Sequence, residues 1–88
     1  MAGNTRGKLK EHFEGVHRNF DWCLHHINQA LQLIADKLGE SDDVKALGDN
    51  KEAIQEFVDK YPLYNGIKSL GTGIQTLDEL AQGIYDKL

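Results

Sequence analysis

Four side chains in the first third of the sequence have the types and the spacing of metal ligands. They are two acids and two histidines, Glu14, His17, Asp21 and His25. On a helix at 100° per residue they fall within about 80° of one another. Glu14 and His17 also have the Glu-x-x-His spacing of di-metal carboxylate bundles, and a symmetric dimer would supply that spacing twice. The alternative is a polar, partly solvated flank. We favour the flank, because a metal site needs several convergent ligands, and we therefore predict no bound metal and no cofactor.

Two further features that could carry chemistry have simpler structural interpretations. Cys23 falls on the apolar side of the same helix, where a buried thiol acts as a small hydrophobe, whereas a nucleophile needs an adjacent base in an accessible pocket. Gly71-Thr72-Gly73 lacks the preceding strand and the following Gly-Lys-Ser/Thr of a phosphate loop. We therefore predict a core cysteine, no catalytic residues and a protein that is not an enzyme.

The single tryptophan is the strongest indication of a binding surface. Trp22 lies about 150° around the helix from the main apolar stripe. Tryptophan is enriched at binding hot spots, and a nearby glycine allows close approach. The alternative is a tryptophan lying flat on the surface, since lone exposed apolar residues are common. The interpretation we favour is a partner interface formed by Gly15, Trp22, His26 and Leu33.

The apolar residues predict three helices joined by short connections. The first covers residues 8–38, with Asn4 or Thr5 as its cap and Gly39 as a left-handed residue after its end. The second begins at Ser41 and covers residues 42–61 with a kink near 48–50; a short turn followed by a helix over 50–61 is the alternative. Pro62 ends this second helix, because the residue before a proline is pushed out of the helical region.

The third helix, predicted over residues 66–87, has the most regular pattern in the chain. Its apolar residues alternate by three and four, which is typical of a coiled-coil seam. A break at Gly71–Gly73 is the alternative, since each glycine weakens a helix by roughly 1 kcal/mol relative to alanine; we favour one continuous helix. The predicted helix-packing seam consists of Ile67, Leu70, Ile74, Leu77, Ala81, Ile84 and Leu88.

These elements predict a single all-α domain over residues 1–88, either a three-helix bundle or a helical hairpin with one long N-terminal helix. At 1.5 Å per residue the first helix would be about 45 Å long, and the other two about 30 and 33 Å. Part of its apolar stripe would then stay uncovered. The length mismatch therefore predicts an oligomer.

Composition narrows the class of protein. The 88 residues include 10 Lys+Arg, 14 Asp+Glu and one cysteine, with a formal net charge of −4. A disulfide framework is therefore excluded, and no membrane span or signal peptide is expected. Residues 1–20 hold four basic and two acidic residues without clustered aromatics, which gives little support to a nucleic-acid partner. We expect a cytoplasmic protein or part of a particle assembled inside the cell.

The function predicted from these features is a non-enzymatic protein–protein interaction module. The first interpretation is a small structural or assembly subunit that repeats in a larger complex, such as a virion or a bacterial assembly. The alternatives are a regulator or inhibitor that docks on one specific protein, and a helical metal-binding protein that uses Glu14, His17, Asp21 and His25. The predicted partners are proteins, including further copies of the same chain.

Overall fold

The computed structural model describes residues 3–88, and these form helices and connecting turns without any strand. The prediction of an all-α protein is confirmed. There are four helices in the described chain: α1 (Gly3–Gly39), α2 (Asp42–Lys45), α3 (Lys51–Lys60) and α4 (Pro62–Lys87).

The two long helices form an antiparallel hairpin. Ile27 of α1 contacts Gly71 of α4, while His17, earlier in α1, contacts Asp78, later in α4. The molecule is elongated and measures 65 × 18 × 17 Å. A three-helix bundle is therefore not the arrangement seen. The short α2 and α3 lie at one end, so α4 alone covers most of α1.

The turn after α1 differs from the prediction at its glycine. Gly39 is the last residue of α1 and does not take the left-handed conformation expected of it. The helix instead ends through bonds from the backbone N–H groups of Glu40 and Ser41 to the carbonyls three residues earlier. These short-range bonds satisfy the final carbonyls, so no left-handed residue is needed. The Ser41 hydroxyl then accepts a bond from the N–H of Val44 and begins α2.

The predicted helix over 42–61 is divided into two helices rather than kinked. The left-handed residue lies in this second turn, where Gly48 has φ +63°. Glycine has no Cβ to oppose that conformation. Asn50 then accepts a bond from the N–H of Ala53 and begins α3.

Both long helices are longer than predicted. Pro62 ends α3 as expected, but it also occupies the first turn of α4, where a proline's missing N–H costs nothing. Residues 63–66, predicted as a connection, are therefore helical. At the other end, Asn4 and Thr5 lie inside α1 instead of capping it.

The core is small. Its buried apolar residues follow the α1–α4 contact and the junction with α2 and α3, and no large side chain of residues 4–88 is completely shielded from solvent. The buried hydrophobic residues are Ile27, Leu38, Val44, Val58 and Ala81. A single layer of contact between two helices gives each helix only one covered stripe, which leaves apolar residues on the remaining faces exposed.

Candidate functional site

The helices α1 and α4 pack tightly against each other at Gly71. Gly71 is buried, and a Cβ atom added there would lie 3.1 Å from Cγ2 of Ile27. The absence of a side chain therefore lets the isoleucine pack against the α4 backbone. Gly73, two residues later, points into open space, with no atom within 4 Å of an added Cβ. Gly71 therefore lies in the contact between α1 and α4, whereas Gly73 lies on a surface that the chain itself leaves uncovered.

Polar bonds between α1 and α4 join the hairpin on the N-terminal side of that contact. Nδ1 of His17 lies 2.8 and 3.1 Å from the two carboxylate oxygens of Asp78. One helical turn earlier, Glu14 accepts a 2.8 Å bond from the hydroxyl of Tyr85, and this bond raises the pKa of Tyr85 above its usual range. The ammonium group of Lys10 lies 5.6 Å from the centre of the same ring, a cation–π distance.

The predicted metal candidates do not form a common site. Glu14 and His17 bond to different residues of α4, while Asp21 and His25 line an open 610 Å³ cleft between α1 and α4. Lys68 lines the same cleft, and its positive charge opposes a cation there. Nowhere in residues 3–88 do three histidine, cysteine or acidic side chains converge as metal ligands.

An exposed apolar ridge runs along α4. Its five large side chains keep between 48 and 62% of their surface exposed. We call this surface the leucine ridge: Leu63, Leu70, Leu77, Leu80 and Ile84. Four of the five recur at intervals of seven residues, which keeps them on one side of a supercoiled helix. Lone exposed leucines are ordinary, but a continuous apolar line on a helix is typical of an interface.

The predicted helix-packing seam is divided between two surfaces. Ile67, Ile74, Ala81 and Leu88 are buried or half-buried, whereas Leu70, Leu77 and Ile84 are exposed on the leucine ridge. Packing within the chain uses a neighbouring line at Gly71, Asp78 and Tyr85. Sequence reasoning missed this line because two of its three residues are polar, although their spacing of seven was visible in the sequence.

Trp22 lies on the side of α1 that points away from the buried Ile27, and 64% of it is exposed. Its ring stacks on His25 at 5.3 Å between centres, and His26 meets it edge-on at 5.2 Å. Leu33 is also exposed, while Gly15 is half-buried. The predicted interface residues thus share an exposed side of α1, and the structure adds His25 to the cluster. We call these residues the Trp22 face.

Cys23 does not occupy the core as predicted. Its thiol is exposed on α1. The reason is that only α4 covers α1, so the covered stripe is too narrow to reach the edge where Cys23 lies. A second covering helix, as in the bundle considered above, would have buried it.

Within residues 3–88, no helix is both long and apolar enough to cross a membrane. The chain matches no protein-family model, and no curated protein or solved structure is detectably similar to it.

Proposed function

We propose that this protein is a non-enzymatic structural subunit that associates with further copies of itself and repeats in a larger assembly, such as a virion or a bacterial assembly. The observation that carries the proposal is the leucine ridge. It presents five large apolar side chains along α4, a helix of about 39 Å. Their burial requires a second molecule, since α1 already occupies the neighbouring side of α4.

Burial of the leucine ridge would release a free energy comparable to the net stability of a small domain. Full burial of one leucine is worth about 1.5–3 kcal/mol, so five half-exposed side chains still hold roughly 4–8 kcal/mol of gross driving force. Small domains have total stabilities of the same order. A chain this short also buries only about 60% of its unfolded surface. The gross driving force for association through the ridge is therefore similar in size to the net stability of a small domain, before the entropic cost of association is subtracted.

The Trp22 face supports a repeating assembly rather than a closed pair. Its exposed indole lies on the side of α1 opposite the buried Ile27, whereas the leucine ridge lies on α4. Two separate apolar surfaces on one rod-shaped chain allow each copy to contact more than one neighbour. The polar pairs His17–Asp78 and Glu14–Tyr85 hold the hairpin together internally, and this use of the titratable groups supports a non-enzymatic role.

A regulator that docks on one specific protein is the second candidate, and the cluster around Trp22 favours it. A half-exposed indole supported by two imidazoles has the composition of a binding hot spot. The two candidates differ in the state of the isolated chain. A structural subunit forms multimers on its own, whereas a regulator of this kind stays monomeric until its partner is added.

The test is the mass of the protein in solution, measured by light scattering with three variants. Leu77→Glu places a charge on the ridge, and we expect it to reduce the mass toward that of a monomer while the chain stays helical. Gln82→Glu is the matched control on an exposed part of the same helix, and its mass should equal that of the parent. Ile27→Glu charges the core and should unfold the chain. A parent protein that is monomeric at all concentrations would overturn the proposal.

A further inference from the structure

We propose that the leucine ridge is covered by the same ridge of a second copy, with the two α4 helices packed antiparallel about a two-fold axis near residue 75. This inference rests on the proposed function, and it names the surface, the partner and the direction of packing. Residue 75 is at the middle of α4 (Pro62–Lys87), so pairing there overlaps the two helices along their whole length.

The order of large and small residues along α4 favours the antiparallel direction. One seam position of the heptad is large throughout, and the other is held in turn by Gly66, Gly73, Leu80 and, at the end of α4, Lys87. In the antiparallel register Gly66 faces Ile84 of the second copy and Gly73 faces its Leu77. Each glycine thus receives a large side chain. A parallel register would place each glycine opposite its own copy and leave two gaps, which close-packed interfaces avoid.

The glycines of the ridge side have no packing role within one chain. A Cβ atom added at Gly66, Gly73 or Gly83 would meet no atom within 4 Å, unlike the one at Gly71. Glycine weakens the interior of a helix, so three such residues need another explanation. The close approach of a second helix supplies it. Ser69 and Thr76 continue this small-residue edge beside the leucines.

The exposed area is large enough for a stable dimer. The chain exposes 6679 Å², whereas a compact monomer of this mass exposes about 5,200 Å². The excess is roughly 1,500 Å² per chain, and a standard interface needs about 800 Å² from each partner. One helix–helix contact along α4 would use only part of this excess. The Trp22 face would remain available for another contact.

The charges of α4 also favour this direction. Its acidic residues are Asp78, Glu79 and Asp86, all in the C-terminal half, where Lys87 offsets one of them, while Lys68 lies in the N-terminal half. Antiparallel packing keeps the two acidic halves at opposite ends of the interface. A parallel pair would bring them together. The helix dipoles likewise oppose each other favourably in the antiparallel pair.

Cysteine cross-linking tests the register, in a Cys23→Ser background that removes the native thiol. Thr76→Cys lies beside the proposed axis and should form a covalent dimer on mild oxidation. The variants Ser69→Cys and Gly83→Cys should each form few covalent dimers alone, because residue 69 of one copy faces residue 83 of the second copy. A mixture of these two variants should form the covalent heterodimer. All three sites are exposed, so circular dichroism should show a helical content equal to that of the parent.

Gln75→Cys is the control, because it lies at the height of the axis but on another side of α4, in the cleft lined by Lys68. Thr76→Cys should cross-link at least about tenfold faster than this control, since paired thiols meet at millimolar effective concentration. Efficient self-cross-linking of Ser69→Cys would overturn the antiparallel direction. A dimeric mass with no cross-link at residue 76 would overturn this inference while leaving self-association intact, whereas a monomeric mass would overturn both.

Discussion

Cγ2 of Ile27 occupies the space in which Gly71 would carry a side chain, at 3.1 Å from an added Cβ atom. The buried isoleucine of α1 and the buried glycine of α4 thus form a tight contact between the two helices. A few residues away on α4, Gly73 faces open space. The hairpin contact therefore uses Gly71, and the proposed intermolecular contact uses Gly73.

Alanine substitutions at these two glycines should have different effects on stability. Gly73→Ala should raise the free energy of unfolding by roughly 0.5–1 kcal/mol, because alanine loses less conformational entropy in a helix. Gly71→Ala gains the same term but compresses Ile27, and overpacking costs about 1–3 kcal/mol.

Urea denaturation of both variants in the Leu77→Glu background measures this difference without a contribution from association. We expect Gly73→Ala to be the more stable of the two. Equal stabilisation by both substitutions would mean that Ile27 moves aside freely and that the contact does not set the distance between the helices.

The bond between His17 and Asp78 should contribute modestly to the α1–α4 contact. Asp78 is mostly covered, with 18% of its side chain exposed, while half of the imidazole is exposed. Asp78→Ala should lower the free energy of unfolding by about 0.5–1.5 kcal/mol, which is typical of a part-exposed hydrogen bond. Glu79→Ala, at the exposed neighbouring position, is the control and should change stability by less than about 0.5 kcal/mol.

The double variant His17→Ala/Asp78→Ala tests whether the two side chains stabilise the hairpin through their mutual bond or independently of each other. If the two groups act through their mutual bond, the double variant should lose less than the two single variants together. Strict additivity would show that they stabilise the hairpin independently.

The bond between Tyr85 and Glu14 gives the hairpin a dependence on alkaline pH. The hydrogen bond to the Glu14 carboxylate, with its negative charge, raises the pKa of Tyr85. A group whose folded pKa is raised contributes stability below its unfolded pKa, which is about 10 for tyrosine. That contribution is lost as the pH rises through the folded pKa. Tyr85→Phe should therefore differ in stability from the parent at neutral pH and match it more closely at alkaline pH.

Thermal denaturation at pH 7 and above pH 10 measures this difference, with Tyr61→Phe as the control. Tyr61 is exposed and forms the turn before α4, so its substitution should give the same small difference at both pH values. A Tyr85→Phe effect that is independent of pH would show that the ring, through Lys10 and its packing, stabilises the contact without the hydroxyl.

The sequence predicted the elements of this fold better than their packing. The period of apolar residues in α1 and α4 specifies two long amphipathic helices, and Pro62 specifies a boundary. The pattern does not show how many helices cover each stripe. The pattern therefore predicts Cys23 in a core that a second covering helix would make and Leu77 in the same seam as Ile74, whereas Cys23 is exposed and only Ile74 of the second pair is half-buried.

The sequence did not predict the polar contacts between α1 and α4, for a related reason. His17 and Asp78 are 61 residues apart, and their contact depends on the relative rotation of α1 and α4. Gly71 and Ile27 form one of the contacts that accompany this rotation, and hydropathy alone does not distinguish the pair from other small and large residues. The exposure of Trp22 was predictable because its position opposite the apolar stripe does not depend on how α4 is rotated.

Trp22 should report on association through its own face. If another copy buries this indole, the Trp22→Ala variant should assemble more weakly while its helical content stays near that of the parent. Aromatic side chains can bury 150–250 Å² each, and 64% of Trp22 is still exposed, which at about 25 cal/mol per Å² gives roughly 2–4 kcal/mol of gross driving force. The emission of Trp22, the only tryptophan, should shift to the red on dilution below the dissociation constant.

Leu33→Ala tests the same face without removing the fluorophore, and it should move that red shift to higher protein concentration. An emission maximum that does not change with concentration, together with unchanged assembly of Trp22→Ala, would restrict self-association to the leucine ridge, because the indole would then be in the same environment in the monomer and in the assembly.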